Sequence, residues 1–304
     1  MAALPERPSD PAFHAAVGPA GEGRIARSLR LARASWRLLL EHRCLLALEA
    51  LSVLTVIGGT AAWVAGVFGM AAAGAGDAVF VLLLPAFFFF IGAGVFFNVA
   101  VVAMASVALE GRRPSIREGI DVAWSRLGLI ARWTLLSIGV GTLIQLLFEK
   151  LPPVMDRVAQ WLVGAAWGVV TLLVVPVIVH EGGSATGAVD RSARLVRERW
   201  GEGVAGSVVI GGWGMLLWIP ALVLILPVIA LIEAGTLVPG VALAVVALLL
   251  GLAGFVIADA LRQVFSAALY SFAVTSAPPR GFTHEDLAGT MRPRRGIFQR
   301  LRGR

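Results

Sequence analysis

The chain is short of the residues that most chemistry depends on. Its 304 residues include one cysteine, one tyrosine and four histidines, and only 15% are charged. A single cysteine, Cys44, excludes an internal disulfide and a cysteine metal cluster. His180-Glu181 has no second histidine at the spacing of a helical zinc motif, and His284-Glu285-Asp286 stands alone. Both groups read as solvated surface. No glycine cluster sits behind a strand as a phosphate loop would, and no Ser-His-Asp set comes with a nucleophile elbow. The sequence therefore predicts no catalytic residue, no metal ligand and no cofactor site, and the chain does not read as an enzyme.

Charge is scarce and one-sided. The net charge of +7 comes almost wholly from arginine, because Lys150 is the sole lysine. A soluble domain carries about 25% charged residues. Here 58% of residues are hydrophobic and the mean hydropathy is +0.84. Several apolar runs exceed the roughly 18 residues that mark a bilayer span. This is the pattern of an all-α integral membrane protein. In such a chain the arginine excess reports orientation in the membrane, and nucleic acid is disfavoured as a partner.

Arginine concentrates before the first apolar run, between the second and third, between the fourth and fifth, and after the sixth. The other connections are nearly free of it. That bias predicts six transmembrane helices with both termini inside, at about 44–70, 78–109, 127–148, 158–179, 203–232 and 239–258. Residues 1–23 read as a disordered tail, 24–276 as the transmembrane domain and 277–304 as a basic cytoplasmic tail suited to anionic lipid. The expected location is a prokaryotic cytoplasmic membrane. Pro220 and Pro227 should kink or interrupt the fifth span. The pairs Gly58/Gly66 and Gly164/Gly168 read as small-residue faces for helix packing.

Each pair of spans is preceded by a basic segment with helical periodicity. In the first, Ile25, Leu29, Ala32, Trp36 and Leu40 share a face. In the second, Ile116, Ile120, Trp124 and Leu127 do so, and Ser115 to Glu118 fits a capping box. In the third, Val189, Ala193, Val196 and Trp200 line one side, while Arg191, Arg194 and Arg197 lie on another. Thr186 suits its N-cap, and Asp190–Arg194 and Arg194–Glu198 have ion-pair spacing. These segments are expected to be amphipathic helices in the membrane interface. Trp36, Trp124 and Trp200 recur at intervals of 88 and 76 residues, which suggests three copies of one unit, an interfacial helix followed by a hairpin.

Three stretches carry a family likeness: ARASWRLLLEHRCLLALEALS, VVPVIVHEGGSATGAVDRSARLVRERWGEGVAG and FSAALYSFAVTSAPPRGFTHEDL. Together they resemble an uncharacterised family of six-span prokaryotic membrane proteins known only as a domain of unknown function. The resemblance spans residues 28 to 295. Its most specific parts are the Val-Pro-Val turn leading to Glu181-Gly182 and the Ser192-Ala193-Arg194 segment. More loosely, the chain is similar to the membrane domain of glycerophosphodiester phosphodiesterases, without their catalytic domain. What the resemblance implies is architecture and not activity.

Polar groups inside a bilayer are costly, which makes them functional candidates. Glu49, Arg132, Asp259 and Arg262 should lie at similar depth; the leading account is that these charges snorkel to the headgroups, and the rival is that Glu49 or Asp259 pairs with Arg132. Asn98 falls near the middle of the second span, where a bridging hydrogen bond between helices is its ordinary use. The leading functional reading is a non-enzymatic membrane protein whose basic helices engage anionic inner-leaflet lipid, another membrane protein or a second copy. The alternative is a transporter or lipid-handling permease with a site near the kinked fifth span.

Overall fold

The computed structural model describes residues 24–74, 76–149, 152–200 and 219–283, together with 217 and 287. The described chain is helical, because apolar runs with no water partner must satisfy every backbone group internally. Its helices are α1 (Arg24–Glu41), α2 (Arg43–Ala72), α3 (Gly76–Leu109), α4 (Ile116–Ser125) and α5 (Leu127–Phe148). They continue as α6 (Pro153–Val170), α7 (Val174–His180), α8 (Ala185–Trp200), α9 (Ile219–Glu233) and α10 (Leu237–Thr275). Among the described residues five stretches are long and apolar enough to cross a membrane: Arg43–Ala72, Pro85–Leu109, Leu127–Phe148, Met155–His180 and Leu237–Thr275. The fifth expected span is described only as α9, which starts with Pro220 in its first turn and carries Pro227 inside. The expected residues 203–216 lie outside the described part.

The long helices pack unevenly along their length. α3, α7 and α10 meet one another at one end. There Val99 to Val102, Met104, Leu173, Ile178, Ala260, Val264 and Leu269 contribute to one buried core. The start of α2 adds Leu45 and Leu48, and the start of α5 adds Leu129 and Ile130. At the opposite end the side chains lie open: Phe68 and Trp161 are both 71% exposed, and Leu226 is 75%. The small-residue faces expected to pack are open too, since nothing lies within 4 Å of a Cβ built on Gly58, Gly66, Gly164 or Gly168. Small residues permit close approach without causing it.

All three short helices sit at the packed end. α1 lies on α10 and α2, α4 lies on α3, and α8 lies on α6 and α7. α4 approaches closest, because a Cβ on Gly119 would stand 2.7 Å from Met104 Cγ and 2.8 Å from the Ala100 carbonyl oxygen. α1 corrects the expected face. Leu31, Ser35, Leu38 and Leu39 are the residues buried against the protein, whereas Trp36 and Leu40 face outward. The helix has two apolar sides, and periodicity alone does not say which one meets protein.

The exits from the packed end share one conformation. α3, α7 and α10 are each followed by a left-handed residue: Gly111 at φ 82°, Gly182 at φ 70° and Ser276 at φ 60°. Glycine suits such a C-terminal turn because it has no Cβ to clash. At the first, the Arg112 amide closes back on the Val107 carbonyl at 3.1 Å; at the second, the Gly182 amide reaches Val177 at 3.1 Å.

Three further expectations need correction. α8 is capped by Ser184, not Thr186: the Gly187 amide donates to Ser184 Oγ at 3.0 Å, because the turn through Gly182 and Gly183 starts the helix earlier. Ser115 has the extended backbone of an N-cap, yet its side chain makes no capping bond. The segment after α10 begins as more than a free tail, since Phe282 and Leu287 are buried and the Arg280 amide donates to the Leu109 carbonyl at 3.2 Å. Residues 288–304 lie outside the described part.

Candidate polar site at the packed end

The fourth expected span is two helices, not one. Pro176 has no amide to give the Leu172 carbonyl, and the chain makes a turn between α6 and α7. Ser192 of α8 fills the gap. Its hydroxyl donates to the Val170 carbonyl at 2.6 Å and accepts from the Leu173 amide at 3.1 Å, with the residue fully buried. A short helix read as lying on the membrane is thereby bonded into a span. Its buried face is Ala185, Ala188, Ser192, Leu195 and Val196, slightly rotated from the expected stripe.

Beside this break, Glu181 collects two partners. The Tyr270 hydroxyl donates to its Oε1 at 2.9 Å, and Arg191 Nε lies 2.9 and 3.0 Å from its two oxygens. The His180 ring stacks on Tyr270 with centroids 5.1 Å apart, and its Nε2 is 2.9 Å from Ser106 Oγ. His180-Glu181 thus ties α3, α7, α8 and α10 together and is not merely solvated surface. Nothing in the local sequence pairs Glu181 with the chain's sole tyrosine, so this network was not legible beforehand.

Deeper in the protein lies a second polar cluster, built around a residue that sequence reasoning passed over. Gln263 of α10 is 2% exposed. Its Nε2 lies 3.0 Å from Glu49 Oε2 on α2, 2.8 Å from Asn98 Oδ1 on α3 and 2.8 Å from Asp259 Oδ2 on its own helix. Glu49 is also 2% exposed. Asp259 uses its other oxygen for Arg262, at 2.6 Å from Nη2, and the Arg262 side chain is 59% exposed. At the rise of an α-helix, Glu49 lies about 9 Å, Asn98 about 16 Å and Gln263 about 18 Å from the nearer ends of their helices. The cluster therefore lies along the long helices and away from their ends.

Four of the expected intramembrane residues, Glu49, Asn98, Asp259 and Arg262, come together here. Arg132 does not. It is exposed, and among the described residues it makes no ion pair, so the rival pairing with Glu49 or Asp259 is corrected. Gln263 reaches Glu49 from α10, and Gln263 and Arg262 hold Asp259 from one turn along the same helix, while Arg132 is exposed on α5. Of the short-helix residues, Trp36 and Trp124 are exposed, and Trp124 meets Phe96 edge to face at 6.1 Å. Arg191 is held by Glu181, Arg194 by Asp190 at 2.6 Å, and Arg197 faces outward. The Trp200 side chain lies outside the described residues.

The sequence pattern of DUF6159, a family of unknown function, matches residues 76–280, more than half of the chain. The chain belongs to this family. In this DUF6159 member the matched stretch contains Asn98, Glu181, Ser192, Asp259, Gln263 and Tyr270, while Glu49 precedes it. No curated protein matches the chain, and no solved structure does.

Proposed function

We propose that this DUF6159 member is a six-span protein of a prokaryotic cytoplasmic membrane, with both termini inside, that acts without catalysis by engaging anionic lipid headgroups through its short basic helices. The supporting observation is the division of those helices into two faces. α1 and α8 bury Leu31, Leu38, Ala188 and Leu195 against the packed end, while Arg33, Arg37 and Arg197 are exposed. On α4 the Arg117 side chain is 91% exposed. Arginines aimed outward at the level where spans end meet headgroups, each worth about 1 kcal/mol near an anionic surface. Embedded proteins and second copies remain the other partners such surfaces suit.

The order of elements supports three units of one short helix and two long ones. α4 packs on α3 and α8 on α7, so these two short helices seat on the unit before them, while α1 packs on the last long helix of the chain. The three left-handed exits occupy corresponding places. A second reading, a permease, is favoured by one observation: the Gln263 cluster joins long helices of the first and third units through buried polar side chains.

The lipid reading is tested with the full chain in nanodiscs of phosphatidylglycerol or phosphatidylcholine. Wild type should unfold at a higher temperature in the anionic bilayer, and added salt should shrink the difference. Replacing Arg33, Arg37, Arg117 and Arg197 with Gln should abolish the lipid dependence without changing stability in the neutral bilayer. Equal stability of wild type in both lipids overturns the reading.

A further inference from the structure

The hydrogen-bond inventory of the Gln263 cluster does not close. One amide nitrogen carries two hydrogens, yet three oxygens, from Glu49, Asn98 and Asp259, lie within 3.0 Å of Nε2. The other half of the same amide, Gln263 Oε1, is buried and has no partner among the described residues. Turning the amide over makes the shortfall worse, because four oxygens then face one another. Charge is out of balance as well. Among the groups whose contacts are described, Glu49 and Asp259 bring two negative charges and Arg262 one positive, an excess of one negative charge beside a carboxylate that is 2% exposed. An unpaired buried charge of that kind is too costly to stand.

We propose that this cluster binds one small monovalent cation, with the Gln263 amide turned over so that its oxygen joins those of Glu49, Asn98 and Asp259 around the ion. The donor set is all oxygen, two of them anionic, which suits a hard ion and gives no purchase to a soft one. A single positive charge brings the cluster to neutrality, so a divalent ion overshoots. An alkali ion and a proton supply the same charge, and the experiment separates them. The charged groups around the site are Asp259 and Arg262 of α10. α3 contributes the neutral Asn98, and Arg33 and Arg37 of α1 face outward. The proposal stands apart from lipid engagement, since a bound cation has no bearing on the exposed arginines.

The test is thermal unfolding of the full chain in detergent at constant ionic strength, with sodium exchanged for N-methyl-D-glucamine in one arm and pH varied at fixed sodium in the other. A saturable rise in Tm of roughly 3 °C or more with sodium assigns an alkali ion. A rise of that size on lowering pH, with no sodium effect, assigns a proton. In either case Glu49→Gln and Asp259→Asn should lose the dependence, and Arg132→Gln should keep it. A wild-type Tm insensitive to both sodium and pH overturns the proposal, whether or not the variants fold. So does a dependence that survives in both Glu49→Gln and Asp259→Asn.

Discussion

The two ends of the helix bundle are made of nearly the same residue types and behave differently. Leu269, at the packed end of α10, is fully buried, whereas Leu146, near the open end of α5, is 60% exposed. Both lie in apolar helices and both avoid water in a bilayer. What separates them is neighbours. At the packed end the short helices close the gaps between spans, and polar side chains lock the arrangement: Ser192 into the α6–α7 turn, Tyr270 onto Glu181, and Gln263 across α2 and α3. At the open end no described polar contact joins one long helix to another, and lipid is as good a partner for leucine as another leucine is. Apolarity places these helices in the membrane; specific packing and hydrogen bonds place them on each other.

The sharpest way to break the comparison is to truncate one leucine at each end. Leu269→Ala should cost about 2–5 kcal/mol by loss of contacts and a cavity. Leu146→Ala should stay within about 0.5 kcal/mol, because its site is open. Thermal unfolding in one detergent measures both, and equal losses would mean that the open end is also packed. Glycines give a contrast of sign. Gly119→Val drives its side chain into the Ala100 carbonyl and Met104 and should cost about 1–3 kcal/mol. Gly164→Ala meets nothing within 4 Å and should gain about 0.5–1 kcal/mol of helix stability.

The smallest contrast concerns polar groups. Ser192→Ala leaves the Val170 carbonyl and the Leu173 amide without their partner and should cost about 1–3 kcal/mol. Arg132→Gln removes no described contact and should stay within about 0.5 kcal/mol. Hydrogen exchange of the Leu173 amide would locate the Ser192 effect at the turn between α6 and α7. An unchanged exchange rate there would remove the role assigned to that hydroxyl.

Much of the secondary structure was readable in advance for a simple reason. α5 spans the expected 127–148, and α10 runs through the expected sixth span to Thr275. Long runs poor in charge leave the backbone few options in lipid. The break at Thr171–Leu173 was harder, because Pro176 signals a disturbance and the disturbance lies several residues earlier. Ser192 is the residue that makes the break tolerable, and it follows in a different helix. The candidate site was legible in part. Glu49, Asn98, Asp259 and Arg262 stand out as polar residues in apolar runs, and Gln263, next to Arg262, carries the same signal. The partner considered for the carboxylates was wrong, since depth along a helix says nothing about direction around it.

The amino-acid sequence alone determined that this protein is helical and apolar enough to be membrane-embedded, and where most helices begin and end. Those properties follow from local composition, because a bilayer offers no hydrogen-bond partner to an unpaired backbone. Tertiary structure decided which faces meet protein, which end of the bundle is packed, and that Gln263 joins residues 214 and 165 positions away. Where both sides of a helix are apolar, periodicity does not distinguish protein from lipid. Only the assembled fold brings the polar groups that make the difference within reach of one another.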